Sequence, residues 1–196
     1  MRLFAAIEVP EDVRQQIAAW WTAASLHFPD GEWRDIPTRN WHITLAFYGD
    51  VDGGDVDNLA EKLAVCASET APMRLVTQDC GIFPRASRPR VFWAGLVSDK
   101  QTKDLKYLAR CCRRAGHATL RKRTAKERPF RSHITLARAG EFATPLAAEF
   151  WQTLPDLPQL AWTASSLILF ASRLTSAGAQ YRRVEEFIFE GSEYVR

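Results

Sequence analysis

Apolar side chains recur along this chain with two different periods. From Arg2 to Val9 nearly every position is apolar, the pattern of a buried strand. Pro10 then sits where a helix can start, and Glu11 and Asp12 follow as first-turn acids. Val13, Ile17, Trp20, Trp21 and Ala24 return at helical spacing, which predicts an amphipathic helix over 11–26. Phe28-Pro29-Asp30-Gly31 ends it in a turn. A short strand is expected at 32–34 and a clear one from Trp41 to Tyr48, closed by Gly49-Asp50. Asp55, Val56, Leu59, Leu63 and Cys66 mark a second helix over 55–67. Strands follow at 73–79 and 90–96, joined by a loop that holds Gly81, Pro84 and Pro89. A third helix, basic on its outer face, is expected from Lys100 to Arg114. Residues 116–128 read as a polar, basic connection, 130–138 as a strand and 145–153 as a short helix. Strands at 167–172 and 181–189 close the chain as a hairpin around Ala177-Gly178. The order βαββαββαβαββ predicts an α+β fold of mostly antiparallel strands with helices packed outside. No linker rich in Gly, Ser or Pro divides the chain, so residues 1–196 read as one domain.

Within this pattern one strand is written twice. His42-Ile43-Thr44-Leu45-Ala46 recurs letter for letter as His133-Ile134-Thr135-Leu136-Ala137. A duplicated half-domain is the natural reading. Side chains alternate along a strand, so His42 and Thr44 share one face while Ile43 and Leu45 share the other. The same holds for His133 and Thr135. If a pseudo-twofold axis relates the halves, two His-x-Thr faces can meet across one cleft.

Two histidines and two threonines in one cleft suit displacement at phosphorus. Attack is in-line, so the entering and leaving oxygens lie on opposite sides. One histidine can take a proton from the entering water and the other can give one to the departing oxygen. Threonine hydroxyls can donate hydrogen bonds to the non-bridging oxygens. A metal site competes for paired histidines, but no H-E-x-x-H motif or carboxylate cluster accompanies either copy, and threonine is a poor zinc ligand. No G-x-S-x-G nucleophile elbow occurs. His27 and His117 lie outside the repeat and read as surface or loop residues.

Charge adds a second lead. The net charge of +3 is uneven: from Lys103 to Arg131 eleven Lys/Arg stand against two acids, leaving the rest of the chain acidic. A basic segment of this kind suggests an anionic partner. Arg121-Lys122-Arg123, with Lys126 and Arg128, is placed to track a nucleic-acid backbone. Cys66, Cys80, Cys111 and Cys112 form no C-x-x-C pair and read as reduced thiols. No apolar run is long enough for a membrane span, and a cytoplasmic monomer without cofactor is expected.

The chain resembles the two-histidine phosphoesterase superfamily, and within it the bacterial and archaeal RNA 2′,3′-cyclic phosphodiesterases, also called 2′-5′ RNA ligases. The resemblance rests on Arg2-Leu3-Phe4-Ala5-Ala6-Ile7, Asn40 to Phe47, Gly81-Ile82-Phe83-Pro84, Arg88 to Gly95, Arg128-Pro129-Phe130 and His133 to Arg138. It implies a bilobal fold, two pseudo-symmetric sheets around a central cleft. It implies that a 2′,3′-cyclic phosphate end of RNA is opened to a 2′-phosphate, with His42 as proton donor to O3′ and His133 as proton acceptor from water. It further implies phosphate binding by Thr44, Thr135 and Arg138, base stacking on Phe47, and reversible 2′-5′ joining of tRNA halves. Phe47 and Arg138 lie five residues after their histidines, on the opposite strand parity, so a bulge or twist must bring them to the cleft. Where the family often has His-Pro before the second motif, this chain has Arg131-Ser132. Arg131 shares the face of His133, which suggests a cation near the phosphate or the next nucleotide that depresses the histidine's pKa. Two other readings stand beside this one: a phosphoesterase of the same fold acting on a small cyclic nucleotide or a 2′-5′ oligonucleotide, and an RNA-binding protein with incidental catalysis.

Overall fold

The apolar run at the start of the chain forms β1 (Arg2–Glu8), and both of its faces are covered. Leu3, Ala5 and Ile7 enter the main core, while Phe4 and Ala6 join Ile168 and Phe170 in a smaller cluster. In this computed structural model, residues 1–98, 103–120, 129–176 and 178–191 are described. After β1 come α1 (Glu11–Ser25), β2 (Trp33–Asp35), a single 3₁₀ turn (Thr38–Asn40), β3 (His42–Asp50) and α2 (Gly53–Ser68). Then follow β4 (Met73–Arg85), β5 (Arg88–Ser98), α3 (Lys103–Thr119), β6 (His133–Ala139) and α4 (Phe150–Thr153). The chain closes with β7 (Ala161–Ala164), β8 (Ser166–Thr175) and β9 (Gly178–Ile188).

All pairings among the described strands are antiparallel, in the order β7-β4-β5-β6-β3-β1-β8-β9, with β2 added to the far end of β6. The fold is α+β, with the sheet curled and the helices outside. The two expected sheets are continuous. One half, β7-β4-β5-β6, meets the other, β3-β1-β8-β9, at the single pair Ile43↔Ile134. Both isoleucines are fully buried in the main core, together with apolar residues of α1, α2 and α3. Aromatic packing fixes α1 there: Trp20 and Trp21 stack on Phe92 of β5, and Phe28, just beyond the helix, meets it edge-on, with ring centroids 4.9–6.3 Å apart. Each such ring buries about 150–250 Å² of apolar surface.

Four sequence expectations change. Gly81, Pro84 and Pro89 lie in a long hairpin rather than a loop, because β4 and β5 stay paired as far as Arg85↔Arg88. Gly81 is required there by packing: a Cβ would lie 2.3 Å from the Trp93 ring. Among the described residues the third helix spans Lys103–Thr119, past the expected end at Arg114, so Gly116 is helical. Its missing side chain makes room for Tyr48, whose ring lies 2.7 Å from where a Cβ would stand and whose hydroxyl donates to the Cys112 carbonyl. The expected helix at 145–153 shortens to 150–153, since the Leu146 N–H is drawn to the Ala86 carbonyl at the hairpin tip. Strand β7 adds to the expected elements; only Trp162 and Ala164 of its four residues are buried, too short an alternation to stand out. The basic stretch at 121–128 lies outside the described residues.

Candidate active site

At the centre of the sheet, β3 and β6 are paired only at Ile43 and Ile134 among the described residues. Residues paired across two strands point to the same side. With both isoleucines in the core, His42, Thr44, His133 and Thr135 all emerge on the opposite face. The antiparallel register sets His42 alongside Thr135 and Thr44 alongside His133. The two histidines therefore stand on a diagonal, on adjacent strands.

The repeat extends beyond its letters into backbone geometry. On β3, Ala5 pairs with Ala46 and Ala6 with Thr44, which leaves Leu45 as an extra residue. On β6, Phe92 pairs with Ala137 and Trp93 with Thr135, which leaves Leu136 extra. Each strand thus bulges at the leucine of its motif, and Leu45-Ala46 and Leu136-Ala137 are buried as consecutive residues. A bulge of one residue reverses parity beyond it. Phe47 and Arg138 consequently return to the histidine face, Phe47 with 52% of its surface exposed.

Each histidine is held in the same way. The Nδ1–H of His42 donates to the Asn40 carbonyl at 2.7 Å, and that of His133 to the Arg131 carbonyl at 2.7 Å. A carbonyl only accepts, so the proton sits on Nδ1 and Nε2 is left for chemistry. The 3₁₀ turn presents the Asn40 carbonyl, and the buried Asn40 side chain is tied by its Nδ2 to the Ala179 carbonyl at 2.8 Å. His42 Nε2 also lies 2.9 Å from the Thr44 hydroxyl, which donates to it when the ring is neutral.

Burial dominates the electrostatics. It pushes the His42 pKa down to about 4, against the favourable Asn40 hydrogen bond, with His133 and Arg138 adding repulsion. The His133 pKa is lowered by burial too, and by the Arg138 charge. Arg138 therefore acts on both rings, and also on Tyr181, whose phenol burial pushes up. Arg131 behaves differently from expectation. Its carbonyl, not its guanidinium, touches His133, and its guanidinium lies over Phe83 at 5.9 Å; the cation that lowers the His133 pKa is Arg138.

Aromatic walls without an assigned role in the sequence flank the histidines. His42 lies 4.9 Å from Phe4, 5.3 Å from Tyr181 and 6.3 Å from Phe170. His133 meets Phe83 edge-on at 5.0 Å and Trp93 at 6.3 Å. Phe4, Phe83 and Trp93 stand in stretches that carry the family resemblance, whereas nothing local marks Tyr181, which arrives through the β8–β9 hairpin. Arg2 stacks over Phe47 at 5.0 Å. Among the described residues no three His, Cys, Asp or Glu side chains cluster so as to hold a metal ion. No described helix is long and apolar enough to cross a membrane.

This arrangement has counterparts. The chain is similar to an RNA 2′,3′-cyclic phosphodiesterase of Geobacillus stearothermophilus, 27% identical over 190 residues, spanning 96% of this chain but 57% of that longer protein. It is 30% identical over 182 residues to the RNA 2′,3′-cyclic phosphodiesterase of Escherichia coli, covering 92% of each. The crystal structure of E. coli LigT complexed with 3′-AMP superimposes with a TM-score of 0.73 at 26% identity, over 96% of this chain and 97% of that one. The family model for LigT-like phosphoesterases matches residues 7–93 and 102–181, a span that takes in both bulged His-x-Thr strands and, of the aromatic walls, Phe83, Trp93, Phe170 and Tyr181. The chain belongs to the LigT-like phosphoesterase family.

Proposed function

We propose that this protein hydrolyses 2′,3′-cyclic phosphate ends of RNA to 2′-phosphate ends without a metal ion, with His42 as proton donor and His133 as proton acceptor. The observation that carries the reading is the paired geometry: two His-x-Thr stretches on adjacent antiparallel strands, facing the same way, with Arg138 acting on both rings. The names of the relatives in E. coli and G. stearothermophilus point to the same substrate.

The chemistry follows from the face. A cyclic phosphate held beside Arg138 meets an Nε2 on either side. Water on the His133 side loses a proton to Nε2 as it attacks phosphorus. The P–O3′ bond breaks on the His42 side, and O3′ takes the proton from His42. The Thr44 and Thr135 hydroxyls donate to the non-bridging oxygens, where charge accumulates. In the free protein His42 is neutral at pH 7, so its proton is loaded with substrate: the phosphate anion offsets the Arg138 field and stabilises the imidazolium. Exposed Phe47 offers the terminal base a stacking surface. Were a ribose 5′-hydroxyl to enter in place of water, the same steps would make a 2′-5′ join, as between tRNA halves.

A second reading, a small nucleotide as substrate, is favoured by the LigT structure with 3′-AMP. The test is product analysis in excess EDTA with an RNA oligonucleotide and a mononucleotide, each ending in a 2′,3′-cyclic phosphate. A 2′-phosphate product from the RNA is expected; a 3′-phosphate would reverse the leaving oxygen. His42→Ala and His133→Ala should each lower turnover by about 10²–10⁴-fold, and full rates in both would refute the mechanism.

A further inference from the structure

We infer that Phe83, Arg131 and Asp79 form a second nucleoside subsite, on the side of the phosphate where the nucleophile enters. This rests on the assignment of His133 to the entering group. In-line geometry puts that group, and anything attached to it, against the wall around His133. The wall is more elaborate than a water molecule needs. Phe83 is half-buried and meets His133 edge-on at 5.0 Å, and the exposed Arg131 spans it at 5.9 Å. Trp93 supports Phe83 from behind, with centroids 5.0 Å apart.

The same pairing of an arginine with a phenylalanine occurs on the strand that carries His42, where Arg2 covers Phe47 at 5.0 Å. It does not descend from the repeat, because the position matching Phe47 in the second motif is Arg138 and Phe83 comes from a different strand. One aromatic–guanidinium pair thus involves a residue of the His42 strand, and the other lies against the His133 ring. A nucleobase stacks on either component. Intercalation between two planes needs about 7 Å, twice a van der Waals contact, so the exposed Arg131 side chain has to lift by roughly 1 Å to admit a base.

Asp79 supplies the polar part. Its Oδ1 lies 2.1 Å from where a Cβ of Gly95 would stand, and Gly95 pairs directly with His133. Glycine at 95 therefore leaves space for a carboxylate beside the catalytic row. A carboxylate repels phosphate but accepts hydrogen bonds from ribose hydroxyls. Base on Phe83 and Arg131, with sugar hydroxyls on Asp79, describes a nucleoside whose 5′-oxygen approaches phosphorus from the His133 side.

A 2′-5′-linked adenylyl-adenosine probes this subsite, and 2′,3′-cyclic AMP serves as the substrate that leaves it empty. In cleavage of the dinucleoside, O3′ attacks phosphorus and gives its proton to His42. The P–O5′ bond breaks, O5′ takes a proton from His133, and a cyclic phosphate and free adenosine result. The experiment measures kcat/KM for both substrates in wild-type, Arg131→Gln and Asp79→Asn proteins. The inference expects the ratio of dinucleoside cleavage to cyclic AMP hydrolysis to fall about tenfold or more in each variant. An unchanged ratio overturns it. So does a wild-type protein that hydrolyses cyclic AMP but leaves the dinucleoside intact, a result that spares the hydrolase reading. A protein that turns over neither substrate overturns both. If the variants instead discriminate a cyclic-phosphate-ended dinucleotide from cyclic AMP, the wall holds the upstream base and the entering-side assignment is wrong.

Discussion

Burial of His42 should make the protein's stability depend on pH in a way that can be isolated. In the unfolded chain His42 takes a proton near its ordinary value of 6.5, whereas in the folded protein it does so only near pH 4. Between these values the unfolded state binds more protons, so stability rises with pH and is lost as pH falls. Lowering a pKa by one on folding corresponds to about 1.4 kcal/mol. The His42 contribution to the loss is then about 2 kcal/mol at pH 5 and about 3 kcal/mol at pH 4. Against a total of roughly 5–15 kcal/mol for a typical domain, that is large enough to measure. Other ionisable groups add to the pH dependence, so the comparison is with His42→Gln, which removes this one site. Urea unfolding followed by tryptophan fluorescence at pH 7.5, 6, 5 and 4.5 would give both curves. The wild-type curve should fall more steeply below pH 6.5 than that of the variant. Parallel curves would show that His42 titrates as it does in water, and the account of an uncharged resting histidine would be abandoned.

Three other outcomes are expected. Arg138→Gln should raise the pKa of both His42 and His133, since the arginine lowers each; ring-proton NMR titration checks this, and a change confined to one ring would contradict the shared position of Arg138. Gly81→Ala should destabilise by about 1–3 kcal/mol, because its Cβ would stand 2.3 Å from the Trp93 ring; an unchanged melting temperature would mean that Trp93 moves freely. Asn40→Ala should cost about 1–2 kcal/mol by leaving the Ala179 carbonyl unpaired, and should lower kcat for cyclic phosphate more than it raises KM by loosening the turn that holds His42. Equal effects on both constants would argue against a positioning role.

The elements were largely readable where periodicity was long. The helix of Val13, Ile17, Trp20 and Trp21 and the strands that carry the histidines lie where the spacing predicts them. Gly81, Pro84 and Gly116 misled because local propensity treats glycine and proline as breakers. Here Gly81 and Gly116 instead make room for Trp93 and Tyr48, ring contacts between distant segments. Tyr181 and Asp79 carried no signal for the same reason: their neighbours at the site come from other strands.

The duplicated His-Ile-Thr-Leu-Ala determined by itself that each histidine would share a face with its threonine, opposite the isoleucine between them, because side-chain period along a strand is a local property of the backbone. It did not determine that the two strands would lie side by side, meeting at Ile43 and Ile134, nor which residues would wall the histidines. Only the tertiary structure decided that Phe47 and Arg138 would face the same way as the histidines. A bulge arises when one strand has more residues than its partner between two pairs, and that mismatch exists only once Ala5 and Ala6, or Phe92 and Trp93, have been brought alongside.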